Sequence, residues 1–266
     1  MKRRIAVFIG TRPEAIKMAS VVAALRADDC LQPVVISTGQ HREMIDQVIR
    51  LFAIEVDAEL SAMEPSQTLA GLTARLIERI DRSLDELKPD MALVQGDTST
   101  VLCAALASFY RRIPIGHVEA GLRTGNLASP FPEEANRRMV CPLVDFHFSP
   151  TEAARQALLR EGVDETKVLV TGNTVIDALL MELRRQRQPA VQSELRRRLA
   201  SLLGDDWLQR PLILVTSHRR ENFGDGLEQI CTALDRLAAT MPQLLLAYPV
   251  HLNPRVTEVV HRRLAA

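Results

Sequence analysis

The chain has 266 residues, enough for one large or two modest domains, and 47% of them are apolar, enough for a sizeable core. Basic and acidic side chains balance at 33 each, so no global charge points to nucleic acid or an anionic membrane, and any anion site must be local. The four cysteines, Cys30, Cys103, Cys141 and Cys231, form no Cys-x-x-Cys pair and no zinc spacing, which predicts buried thiols in a reducing cytoplasm. In chain order, strands are expected over 5–9, 33–37, 91–94, 113–118, 146–149, 168–171, 212–216 and 244–248. Helices are expected between them near 14–26, 41–52, 66–88, 98–111, 151–161 and 174–187. The apolar stretch of the first strand is too short for a signal peptide. No run approaches the ~18 apolar residues of a membrane span.

Most of these strands are continuous apolar runs, so both faces of the sheet should be covered. Strand–helix alternation then implies a parallel sheet with helices on both sides, and ligands of such sheets bind beyond the carboxyl ends of the strands. From Met181 to Arg210 the rhythm breaks into a charged, arginine-rich stretch with interspersed acids, read as solvated helices crossing to a second domain. After Pro211 there is room for only two strands, so that domain looks incomplete. The expected division is 1–172 for an N-terminal Rossmann-like domain and 173–266 for interdomain helices and a partial C-terminal domain.

Polar clusters follow nearly every strand. Gly10-Thr-Arg-Pro-Glu leaves the first; Pro13 suits a first helical turn, and that turn's free amides with Arg12 and Lys17 make an expected anion site. It is not the Gly-x-Gly-x-x-Gly of dinucleotide enzymes. Gln40 and Glu43 lie just past the second strand. Asp97 leaves the third, where it is either a ligand-facing acid or a helix N-cap. His117-Val-Glu-Ala-Gly-Leu-Arg and Pro132-Glu-Glu-Ala-Asn-Arg supply Glu119, Arg123, Glu133, Glu134 and Arg137, which either serve a charged ligand or form ordinary ion pairs. His117 itself reads as either a ligand or a packed strand histidine. In the second unit, His218 and Arg219 follow one strand and His251 follows the other. Gathered at one sheet edge, the set offers cations for a phosphorylated group and carboxylates for protons.

The words Gly10-Thr-Arg-Pro-Glu-Ala-Ile-Lys-Met18, Gly39-Gln-His-Arg-Glu-Met44, Gly96-Asp-Thr98, His117-Val-Glu-Ala-Gly-Leu-Arg-Thr124, Pro132-Glu-Glu-Ala-Asn136, Thr171-Gly-Asn-Thr174, His218-Arg-Arg-Glu-Asn222 and Tyr248-Pro-Val-His251 resemble those of the non-hydrolysing UDP-N-acetylglucosamine 2-epimerases. The resemblance runs through the whole chain. It implies an α/β fold of two Rossmann-like domains of the glycosyltransferase-B type, with the ligand in the cleft between them. It implies interconversion of UDP-N-acetylglucosamine and UDP-N-acetylmannosamine without metal or nicotinamide, by loss of UDP to a 2-acetamidoglucal and re-addition. By motif position, Asp97, Glu119, Glu133 and His218 would be catalytic, with no assignment of acid to sugar face. Arg12, Lys17, Arg123, Arg137, Arg219 and His251 would bind substrate, and Gln40 and Glu43 would belong to an activating site. A cytoplasmic homodimer with no nucleic-acid or membrane partner is also implied.

Family members continue for roughly another hundred residues, which carry uridine-side contacts absent here. A binding-only or inactive remnant is therefore one rival reading. A hydrolysing epimerase and a glycosyltransferase of the same fold are the others.

Overall fold

The computed structural model describes residues 2–39, 42–64, 67–217, 225–250 and 253–264, the side chains of 42–44 and 255 excepted. Two compact units emerge, Met1–Leu183 and Arg184–Ala266.

In the first unit the strands are β1 (Arg3–Ile9), β2 (Leu31–Ser37), β3 (Ala58–Glu59), β4 (Met91–Gln95), β5 (Ile115–Val118), β6 (Phe146–Ser149) and β7 (Val168–Val170). They form a seven-stranded sheet in the order β3-β2-β1-β4-β5-β6-β7, each pair parallel. Helices α1 (Arg12–Ala27), α2 (Arg42–Leu51), α3 (Leu69–Leu87), α4 (Ser99–Tyr110), α5 (Glu133–Val140), α6 (Glu152–Arg160) and α7 (Thr174–Gln186) follow successive strands. The continuous apolar runs have the expected cause, because alternate residues serve opposite faces. Ala6, Phe8, Ile36, Ala92 and Val94 pack against α3 and α4 through Leu72, Leu76, Ile80 and Ala104. Val7, Ile9, Val35 and Leu93 pack against α1 and α2 through Ala15, Met18, Val22 and Ile45. Strand order reverses between β1 and β4, and at such a switch point the helices that follow diverge to opposite faces and leave a crevice at the strand exits.

Three details depart from the sequence reading. The fifth strand starts at Ile115, not at 113: Ile113 donates its N–H back to Ser108 at 3.0 Å, and Pro114 has none to give. The short strand β3 and helix α5 were not foreseen. Two residues make too short a pattern for β3, and α5 is a polar helix directly after Pro132. Cys30 is exposed while the other three cysteines are buried. It sits in the turn after α1, where its N–H donates to Asp28 at 2.7 Å, and not on a core-facing element.

The second unit holds α8 (Pro189–Leu203), β8 (Leu212–Leu214), α9 (Asp225–Thr240), β9 (Leu245–Ala247) and α10 (Pro254–Leu264). Strands β8 and β9 pair in parallel, and Leu227, Cys231, Val256 and Val260 form a small core between α9 and α10. No residue of α8 is buried, in keeping with a solvated, charged helix. Among the described residues no helix is long and apolar enough to cross a membrane.

Candidate active site

The exit of β1 is closed by a carboxyl that the sequence reading passed over. Glu14, in the first turn of α1 and only 2% exposed, accepts the N–H groups of Gly10 and Thr11, both at 2.7 Å, and the hydroxyl of Thr98 at 2.6 Å. Burial pushes its pKa above the ordinary 4.5, against the pull of these bonds. The amides of Gly10 and Thr11, just before the helix, are thus taken by Glu14 and are not free to meet an anion. Arg12 is exposed at the first position of the helix. Gly10 itself has no space for a side chain, since a Cβ would stand 2.1 Å from the hydroxyl of Thr100 and 2.5 Å from that of Thr38. Those two hydroxyls are bonded to each other at 2.8 Å.

At the exit of β4, Gly96 turns the chain with φ +80, a left-handed backbone that favours glycine. His117 on β5 fixes that turn. Its Nε2 donates to the Gly96 carbonyl at 2.7 Å, and burial lowers its pKa to about 4, so it is a packed, neutral strand histidine. Thr98, not Asp97, caps α4, its hydroxyl accepting from Val101. Asp97 is thus released from capping and is instead gripped by α5. Arg137 donates Nε and Nη2 to Asp97 Oδ2 at 2.9 and 2.5 Å, and Asn136 donates to the Asp97 carbonyl at 2.8 Å.

One strand over, Gln95 pairs in register with Val118, so Asp97 and Glu119 leave adjacent strands at nearly the same height. Glu119 has φ +64, a strained conformation for a residue with a side chain. Its carboxylate receives Lys17 and Gln95 on Oε2, and Asn173 reaches Oε1 at 3.4 Å from the turn before α7. Glu133 opens α5 and is partly exposed, and its neighbour Glu134 is fully buried. The two X-Pro bonds before it, at Pro130 and Pro132, are cis.

Several expected ligand residues therefore have protein partners. Lys17 pairs with Glu119, and Arg137 with Asp97 and Glu134. Arg123 forks onto Glu161 at 2.9 and 2.8 Å with its side chain only 11% exposed. Glu161 lies far along the chain, and nothing in the local sequence marks it. Glu14 was likewise missed, whereas Glu134 was among the acids expected beyond the fifth strand but carried no separate role. The signal for Glu14 was a glutamate two residues inside a helix start, the position from which a carboxylate reaches back to the cap. Gln40, His218, Arg219 and His251, and the side chain of Glu43, lie outside the described residues. A largely apolar cavity of the first unit has a volume of about 520 Å³ and is lined by Ile5, Leu93, Phe146 and Phe148 among others. None of the acids just described reaches it, and its apolar walls do not suit a charged ligand.

A family model described as UDP-N-acetylglucosamine 2-epimerase matches residues 23–266. The UDP-N-acetylglucosamine 2-epimerase of Yersinia pestis is 54% identical over 254 residues, covering 95% of this chain and 66% of that protein. The Escherichia coli K12 enzyme of the same name is 52% identical over 253 residues, with the same shares. The chain thus spans about two thirds of the length of these curated relatives. Among solved structures, the UDP-GlcNAc 2-epimerase of Neisseria meningitidis bound to UDP-GlcNAc superposes with a TM-score of 0.89 at 44% identity, over 99% of this chain and 70% of that one. The Methanocaldococcus jannaschii enzyme in complex with UDP-GlcNAc and UDP does so with 0.77 at 28% identity, over 97% of this chain and 68% of that one.

Proposed function

The chain belongs to the UDP-N-acetylglucosamine 2-epimerase family, and from that premise we propose that the protein interconverts UDP-N-acetylglucosamine and UDP-N-acetylmannosamine by inverting C2 of the sugar. The observation that carries this reading is the pair of carboxylates, Asp97 and Glu119, at neighbouring strand exits, each held by a cation.

The chemistry explains why several acids are needed. The C2–H bond is unactivated, and direct deprotonation would leave a poorly stabilised carbanion. Loss of UDP from C1 builds positive charge next to C2 and acidifies that hydrogen. One carboxylate then takes the proton, giving a 2-acetamidoglucal, and an acid on the other face returns a proton as UDP adds back. Asp97, Glu119 and Glu133 are the groups proposed for this traffic. By motif position, Arg12, His218, Arg219 and His251 are each proposed to bind substrate, Arg12 and His218 steadying the diphosphate as its charge grows. Holding UDP near the glucal matters as much as the proton transfers, because re-addition requires both partners in place. No metal or nicotinamide is called for. We take the working form to be a cytoplasmic homodimer, a reading supported by the family resemblance and tested by light scattering.

Incubation with UDP-N-acetylglucosamine alone in deuterated water tests the proposal. UDP-N-acetylmannosamine labelled at C2 is expected. Free UDP with N-acetylmannosamine would indicate a hydrolysing epimerase instead, and transfer only when an acceptor is added would indicate a glycosyltransferase. No conversion, with UDP still bound by calorimetry, would reduce this chain to a binding module. In an active preparation, Asp97→Asn, Glu119→Gln and Glu133→Gln should each lower turnover by about 10²–10⁴-fold, the usual contribution of one general acid or base. Full activity in all three variants would defeat the assignment.

A further inference from the structure

We propose that Glu134, which the family reading leaves without a role, is a positioning residue: through Arg137 it fixes the carboxylate of Asp97 in its working orientation. This rests on the assignment of Asp97 to proton transfer. Five hydrogen bonds carry the proposal. Glu134 is fully buried, and its carboxylate accepts the N–H of Thr124 at 3.1 Å, the N–H of Gly125 at 3.2 Å and Nη1 of Arg137 at 3.1 Å. Arg137 turns its remaining edge, Nε and Nη2, to Asp97. The guanidinium is therefore clamped between two carboxylates, one on its own helix and one at the exit of β4.

Both bonds to Asp97 land on Oδ2, which leaves Oδ1 as the oxygen outside the Arg137 fork. A carboxylate held by one oxygen presents the other in a fixed direction, which is what proton transfer at a substrate carbon needs. A guanidinium on a flexible stem holds such a direction only if it is itself held, and Glu134 supplies that second anchor. Glu134 is suited to this because it stays charged. Burial alone would raise its pKa, but the bonds from Thr124, Arg137 and Gly125 outweigh burial and keep it below the ordinary 4.5. The same clamp ties down the 124–125 turn, so the loop between β5 and α5 is referenced to Asp97 as well. Arg137 then acts mainly on the protein's own acid and not on the nucleotide sugar.

The variants Glu134→Gln and Arg137→Lys separate the two roles. Glutamine keeps the volume but turns an amide N–H₂ towards donors, and lysine keeps the cation but loses the fork. With the whole protein and UDP-N-acetylglucosamine, each variant is expected to lower kcat about 10–100-fold with KM within about twofold, the pattern of an interaction needed only in the transition state. A rise in KM at unchanged kcat would place Arg137 on the substrate and overturn the proposal. A second readout needs no turnover. In protein labelled with ¹⁵N-arginine, the Nε–H signal of Arg137, identified by its loss in Arg137→Lys, should exchange with solvent at least about tenfold faster in Glu134→Gln. Unchanged protection in a variant with native circular dichroism would sink the clamp. If the wild-type protein shows no epimerisation, the reaction assignment fails on its own and the exchange measurement still decides the clamp.

Discussion

Two buried glutamates stand at the strand exits of the same sheet and are driven in opposite directions. Glu14, at the exit of β1, is raised by burial despite accepting two backbone amides and a hydroxyl. Glu134, beyond β5, is also buried and also accepts two amides, yet it is lowered. Two causes separate them: desolvation dominates at Glu14, which lies deeper in the protein, and at Glu134 a charged donor, Arg137, joins the backbone amides, whereas the donors to Glu14 are all neutral. Neutral donors orient a buried carboxyl and favour its charged form, and a cation adds to what offsets the desolvation of that charge. The β1 exit is thus built as a fixed structural joint between α1 and α4. The β5 exit is built as a charged clamp that reaches Asp97.

The largest effect that separates these regions should come from emptying the joint. Glu14→Leu strands one buried and one partly buried amide, so a loss on the order of 3 kcal/mol is expected in chemical denaturation. A variant as stable as the parent would show that water or neighbouring groups replace the carboxyl. A sharper contrast comes from the isosteres. At Glu14 a glutamine can keep its oxygen on the two amides and donate to the Thr98 hydroxyl, so Glu14→Gln should cost less than about 1 kcal/mol, whereas Glu134→Gln should cost about 1–3 kcal/mol because Arg137 loses its anionic partner and the Gly125 amide its acceptor. Equal losses would erase the comparison.

The smallest effect lies in the pH dependence, and its sign differs between the two. For Glu134 the unfolded chain, with a pKa near 4.5, takes up a proton before the folded one as the pH falls. Its stabilisation is therefore complete above about 4.5 and is lost as the pH drops through the folded value. For Glu14 the folded protein holds its proton longer, so its contribution is complete below about 4.5 and fades as the pH rises to the folded value. Stability profiles of the two glutamine variants should flatten on opposite sides of that point, and flattening on the same side would contradict the assigned directions.

Much of this was legible in the chain itself. The apolar runs gave every strand but β3, because a strand buried on both faces leaves an uninterrupted apolar signature. The parallel order followed from alternation with helices, and it brings Asp97 and Glu119 to adjacent exits although 22 positions separate them. The identity of each cation's partner was not legible. Arg123 finds Glu161, and Arg137 finds both its helix neighbour Glu134 and the distant Asp97. Between Glu133 and Glu134 the sequence offers no choice, since adjacent residues of the same type differ only in which side of the helix faces inward.

What the sequence settled by itself was the family and the sheet, because both are written in residue types at fixed spacing, and backbone geometry converts spacing into structure. What only the tertiary structure decided was the charge state and orientation of the acids. These depend on burial and on donors supplied by other strands and helices, and a carboxyl carries no mark in its own neighbourhood of whether the group folded against it is an amide or a guanidinium.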